Sequence, residues 1–110
     1  MDYSTALSNF LSALTARELV HNKTDFPTLT PAVFSVNPGR VFDKIVTTRH
    51  GQRSVYAFVR RSDGAIVKAA TWKAPEPKKR ERGNIYNDNP LAGTGVYGVN
   101  YINDKLNSFN

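Results

Sequence analysis

Residues 41–73 restrict the possible fold more than any other part of the chain. Three runs are rich in Val, Ile, Tyr, Phe, Thr and Trp, the residues that favour strands: Val41–Thr48, Ser54–Arg61 and Ala65–Lys73. Two short turn sequences separate these runs: Arg49-His50-Gly51-Gln52 and Ser62-Asp63-Gly64. Gly64 suits a left-handed backbone conformation. Because connections this short join antiparallel neighbours, the segment predicts a three-stranded antiparallel β-meander.

Near the N-terminus, apolar residues recur at helical spacing. One stripe is formed by Tyr3, Leu7, Phe10, Leu11 and Leu14. This pattern predicts an amphipathic helix over residues 1–20, with Ser4 as a candidate N-cap. The helix has to bury its stripe against another element. We therefore predict an α+β fold, with this N-terminal helix packed on the meander.

The two remaining segments read as extended chain. Residues 21–40 contain three prolines and predict an irregular connector. Residues 74–110 begin with a basic run and become glycine-rich, which predicts an extended C-terminal segment. The length of 110 residues is typical of one domain, so residues 1–110 are expected to fold as a single unit.

The positive charge is concentrated in one segment. The chain carries a net charge of +6, yet residues 40–82 hold 12 Lys and Arg residues against 4 acidic ones. The rest of the chain holds 3 basic and 5 acidic residues. Such segregation favours a polyanionic partner for this segment.

Residue patterns that would support catalysis are missing from the sequence. There is no cysteine, and neither His21 nor His50 lies at a metal-ligand spacing from another ligand. The acidic residues are scattered, without a pair placed for acid–base chemistry. Residues 93–98 match G-x-G-x-x-G but lack the preceding strand and following helix of a dinucleotide site. We therefore predict a non-enzymatic protein with no catalytic residue, no metal and no cofactor.

One face of the predicted sheet interleaves aromatic rings with Lys and Arg, if the strands pair symmetrically about their turns. Exposed rings could stack on bases while the cations contact phosphates. The same rings could instead belong to the core. The candidate nucleic-acid-binding residues are Lys44, Arg49, Arg53, Tyr56, Phe58, Arg60, Lys68, Trp72, Lys73, Lys78, Lys79, Arg80 and Arg82.

Three stretches of sequence carry a resemblance to known proteins: residues 54–59 (SVYAFV), 63–75 (DGAIVKAATWKAP) and 82–86 (RGNIY). Together they resemble a family of small uncharacterised proteins encoded by tailed bacteriophages and environmental viruses. The resemblance covers about half of the chain, and residues 1–40 look like an addition to it. It implies a viral origin and no known activity.

Two functions are consistent with these features. The first is a sequence-tolerant nucleic-acid-binding protein that favours single strands. The second is a virion structural protein, such as a minor capsid, decoration or connector component, that binds other virion proteins through extended arms. Self-association is left open. With no signal peptide and no apolar run long enough to span a bilayer, we expect the host cytoplasm or the virion, and no membrane partner.

Overall fold

The computed structural model of the chain describes residues 2–25, 30–95, 98 and 99. Within these residues, the elements in chain order are α1 (Tyr3–Asp25), β1 (Val33–Asn37), β2 (Phe42–Arg49), β3 (Gln52–Arg60), β4 (Ala65–Val67), β5 (Glu81–Asn84), β6 (Thr94–Gly95) and β7 (Gly98–Val99). Strands β1 to β5 form one sheet in chain order, and every neighbouring pair is antiparallel. The α+β class is confirmed, but the sheet has five strands instead of three.

The two additional strands lie in segments that were predicted to be irregular. Strand β1 occupies residues 33–37 of the predicted connector and pairs with β2. Strand β5 lies in the basic segment after residue 74 and pairs with β4. Strand β5 has the sequence ERGN, which lacks the apolar pattern that identifies a strand. Strand β1, VFSVN, does contain strand-favouring residues, but it is only five residues long and lies between Pro31 and Pro38. Residues 100–110 of the predicted C-terminal segment lie outside the described residues.

The first predicted turn is confirmed, and the second is one residue longer than predicted. Arg49 pairs with Gln52 across a two-residue turn, in which His50 and Gly51 both have positive φ angles. Gly64 also has a positive φ, of 76°. The β3–β4 connection has four residues, which pairs Ile66 with Val59. Ile66 therefore faces the helix, and Val67 faces the opposite side.

Helix α1 is longer than predicted and begins before Ser4. The Asp2 side chain caps it, since Asp2 Oδ1 accepts a hydrogen bond of 2.8 Å from the Thr5 amide. This backbone hydrogen bond lowers the pKa of Asp2. The apolar stripe faces the sheet, with Phe10 and Leu14 fully buried. No helix within the described residues has the length and apolar character needed to cross a membrane.

The core lies between α1 and one face of the sheet. A β-bulge in β3 changes this face, because Ile45 pairs with Ala57 while Val46 pairs with Val55. Tyr56 is the additional residue, and it joins Ala57 in the core. Its ring contacts Phe34 edge-to-face at 5.4 Å between centroids.

Two buried carboxylates attach α1 to the sheet, one near each end of the helix. Glu18 is 2% exposed, and it accepts hydrogen bonds from Arg49 at 2.8 and 3.2 Å and from the Ala32 amide at 3.0 Å. Asp43 is also 2% exposed. Its donors are Arg61 at 2.9 Å, the Gly39 amide at 3.0 Å and the Tyr3 hydroxyl at 2.8 Å. Burial of Tyr3 and its hydrogen bond to Asp43 raise the tyrosine pKa.

Replacing Arg49 by Ala is expected to lower the free energy of unfolding by about 3–5 kcal/mol, because Glu18 would stay buried without its cation. The matched control is Arg60→Ala. Arg60 also holds a carboxylate through two hydrogen bonds, but its partner Asp63 is half exposed. That loss should cost at most about 1 kcal/mol. Urea denaturation of both variants tests the difference, and equal losses would contradict a structural role for the Arg49 pair.

Candidate nucleic-acid interface

Trp72 lies at the tip of the connection between β4 and β5, residues 68–80. The base of this loop is closed by a bridge between Ala69 and Pro75 and by a 2.9 Å hydrogen bond from the Glu76 amide to the Lys68 carbonyl. The amides of Ala70 and Thr71 both donate to the carbonyl of Ala74. The turn is therefore held by its own backbone, and it leaves Trp72 40% exposed.

Two cations from the sheet lie against the Trp72 ring. Lys44 Nζ is 4.3 Å from the ring centroid, and Arg53 Cζ is 5.3 Å from it. These distances are within the range of cation–π interactions. Lys44 and Arg53 lie on the sheet face opposite α1, so the loop folds back over that face. The arrangement brings one aromatic surface and two positive charges together.

A shallow pocket opens beside the tryptophan. It has a volume of about 290 Å³ and is lined by Val55, Ala69, Ala70, Thr71 and Trp72. The small side chains of the two alanines leave space beside the indole. Thr71 Oγ1 accepts hydrogen bonds from the Lys73 and Ala74 amides, both at 3.2 Å. Most polar groups of the loop are therefore engaged inside the loop itself.

A basic turn continues the positive surface on the same connection. Lys73, Lys78 and Lys79 are exposed, and the Lys79 amide donates to the Glu76 carbonyl at 3.0 Å. Glu76 is the one acidic residue between positions 68 and 80. Its carboxylate accepts hydrogen bonds from Arg82, which hold the pKa of Glu76 below its ordinary value. The one carboxylate of the loop is thus paired with an arginine of β5, while Lys73, Lys78 and Lys79 are exposed.

Of the two alternatives for the aromatic residues, burial in the core holds for Tyr56 and Phe58, so these two rings do not form an exposed stacking surface. Tyr56 is 3% exposed because the β-bulge turns it into the core, and burial raises its pKa. Phe58 does lie on the predicted sheet face, the one that carries Lys44, but it is only 4% exposed. Its ring packs edge-to-face on Phe42 at 6.1 Å. Only Trp72 among the three predicted aromatic residues presents its ring to solvent.

Several of the predicted phosphate-binding cations form ion pairs or hydrogen bonds within the protein. Arg49 is bound to Glu18, and the Arg82 side chain, 3% exposed, is bound to Glu76. Arg60 pairs with Asp63 at the surface. Arg80 Nε lies 3.8 Å from Glu76, and Lys68 Nζ lies 3.4 Å from the Val99 carbonyl. Because the Arg82 side chain is buried, it cannot contact a phosphate. The ion pair between Arg49 and Glu18 disfavours phosphate contact by Arg49.

Between residues 40 and 82, six exposed or half-exposed cations make no ion pair within the described part of the chain: Arg40, Lys44, Arg53, Lys73, Lys78 and Lys79. Five of them were among the predicted residues. Arg40 was counted in the basic segment but was not chosen as a contact. Of the five, two touch Trp72 and three lie on the loop that carries it.

Arg17 has an important role that the sequence did not indicate. Its guanidinium donates to the Tyr56 hydroxyl at 2.7 Å, to Thr94 Oγ1 at 3.1 Å and to the Gly95 carbonyl at 2.9 Å. These bonds connect α1, β3 and β6. Arg17 lies outside the basic segment and its partners are up to 78 residues away, so no local pattern points to it.

The glycine motif at residues 93–98 has a structural use. Thr94–Gly95 pairs with Gly98–Val99, while Val96 and Tyr97 lie outside the described residues. Gly93 has a φ of 82°, and a Cβ added there would overlap the carbonyl oxygen of Arg82. This glycine lets the chain cover the outer edge of β5. Among the described residues, no group of three or more His, Asp or Glu side chains could hold a metal ion.

Comparison with known proteins identifies the family. The profile of a family of unknown function, DUF7717, matches residues 1–93. The chain belongs to this family. The match includes α1 and β1, so residues 1–40 are part of the shared sequence and are not an addition to it. No curated protein and no solved structure shows significant similarity to the chain.

Replacing Gly93 by Ala should destabilise the protein more than replacing Gly51. The two glycines have φ angles of 82° and 79°, so both substitutions carry the same backbone strain. A Cβ at Gly51 meets no atom within 4 Å, whereas one at Gly93 overlaps Arg82. The additional cost at Gly93 should be about 1–3 kcal/mol. Thermal unfolding followed by circular dichroism measures both, and equal shifts would argue against close packing on β5.

Proposed function

We propose that this protein is a non-enzymatic, sequence-tolerant nucleic-acid-binding protein of viral origin. It contacts phosphates through Lys44, Arg53, Lys73, Lys78 and Lys79, and it favours single strands. The viral origin is supported by the resemblance of residues 54–86 to bacteriophage and environmental virus proteins. The binding function is supported by the arrangement of charge around Trp72.

The observation that carries this proposal is the division of the basic residues into two groups. Three arginines form ion pairs with carboxylates that are mostly or fully buried: Arg49, Arg61 and Arg82. The five cations that surround Trp72 or share its loop have no such carboxylate within the described residues. Cations that do not stabilise the fold remain available to neutralise phosphates and release counterions.

The preference for single strands is supported by the exposed indole. A base that is free of its partner can stack on an aromatic ring irrespective of its identity. With Tyr56 and Phe58 buried, stacking falls to Trp72 alone, and the phosphate contacts supply most of the affinity. Strong dependence on salt concentration follows from that balance.

A virion structural role is the second candidate, and one surface favours it. Leu19, Val20 and Val33 are 52%, 67% and 63% exposed. They lie where α1 meets β1, which is an edge strand of the sheet. An edge strand beside exposed apolar side chains can receive another protein chain. Mass spectrometry of purified particles separates the two functions, because a structural component is present there in stoichiometric amounts.

The variant Lys78→Ala is expected to weaken binding of a short single-stranded oligonucleotide and to reduce the slope of log K against log salt concentration by about 0.7. The matched control is Lys23→Ala in the last turn of α1. This substitution also removes one exposed lysine charge, but from a different element than the loop that carries Trp72. Fluorescence anisotropy of a labelled oligonucleotide at several salt concentrations measures both slopes. Equal effects of the two substitutions would contradict a localised interface, and no binding by the wild type at low salt would contradict the proposed function.

A further inference from the structure

The pocket beside Trp72 lies next to two cations on the sheet. Its walls are the indole on one side and Val55, Ala69, Ala70 and Thr71 around it. At about 290 Å³ it is at or below the lower end of the range for drug-sized ligands, which is about 300–1,000 Å³. Space of this size suits one planar ring system.

The electrostatic surroundings of the pocket favour a ligand that joins an aromatic ring to an anion. Lys44 and Arg53 lie within 4.3 and 5.3 Å of the Trp72 ring centroid, and Lys73 follows Trp72 directly. These cations would repel a cationic aromatic molecule. A nucleotide has the required combination, since its base can lie against the indole while its phosphate reaches the cations.

The polar groups around the pocket are poorly placed to identify a particular base. The Ala70 and Thr71 amides donate to the Ala74 carbonyl, and Thr71 Oγ1 accepts from two amides of the loop. Recognition of a base edge needs donors and acceptors that are free to pair with it. Contact in this pocket is therefore made through the face of the base and not through its edge.

We infer that each chain accepts one unstacked base of a single-stranded nucleic acid in the pocket beside Trp72, with the flanking phosphates held by Lys44 and Arg53. The inference rests on the proposed nucleic-acid-binding function and adds a base-binding site to its phosphate contacts. Trp72 is the single tryptophan of the chain, so its fluorescence reports directly on the occupant of this pocket.

The test compares three probes on the wild-type protein at low salt. The first is an oligothymidylate of about eight nucleotides, within the usual footprint of single-strand-binding proteins. The second is an abasic deoxyribose-phosphate oligomer of the same length, and the third is thymidine monophosphate. The oligothymidylate should quench Trp72 fluorescence and bind about 5- to 150-fold more tightly than the abasic oligomer, the range expected for one stacked base. The abasic oligomer should bind without quenching.

Two variants test the assignment to Trp72, with binding followed by anisotropy of labelled oligomers. Trp72→Ala should bind the oligothymidylate no more tightly than the abasic oligomer. Tyr86→Ala removes a ring of similar exposure, 43%, and should keep the wild-type preference. Circular dichroism confirms that both variants are folded.

Equal affinity of the wild type for the two oligomers would overturn the base site while leaving the phosphate contacts of the proposed function intact. Thymidine monophosphate that quenches at the same concentration as the oligothymidylate would also overturn it, because the pocket would then serve a free nucleotide. Failure of both oligomers to bind would overturn the proposed function together with the site.

Discussion

The fold depends on two buried carboxylates that connect the helix to the sheet. Glu18 and Asp43 are each almost fully removed from solvent, and each is held by an arginine and a backbone amide. A buried carboxylate without these partners would strongly destabilise the protein. The pairs set the position of α1 across the sheet, because Glu18 reaches Arg49 at the end of β2 and Tyr3 reaches Asp43 near its start.

This requirement explains why the basic residues differ in role. The buried carboxylates and Glu76 are bound by arginines, whose planar guanidinium matches the geometry of a carboxylate. Lysines predominate among the cations that make no ion pair within the described residues. The net positive charge of residues 40–82 therefore overstates the charge available to a partner. What remains is concentrated around Trp72 and on the loop that carries it.

Local patterns predicted the elements that depend on local chemistry. The stripe of α1, the turn at His50-Gly51 and the left-handed Gly64 follow from residue spacing and backbone preference. Strand β5 could not be predicted in this way, since its ERGN sequence is held by pairing with β4. The burial of Tyr56 follows from one additional residue in β3, which no turn or periodicity signals. The sequence also predicted the cluster of basic residues. It could not show that Arg49 and Arg82 are already paired, because Arg49 binds the distant, buried Glu18 and Arg82 is buried beside Glu76.

We propose that nucleic acid binds at the surface formed by Lys44, Arg53 and the loop of residues 68–80. Amide chemical-shift mapping by NMR tests it directly, with isotope-labelled wild-type protein titrated with a short oligothymidylate. If nucleic acid binds there, the largest shifts will fall on residues 44, 53 and 68–80, together with the indole N–H of Trp72. Shifts centred on α1 and β1, or no shifts at low salt, would contradict it.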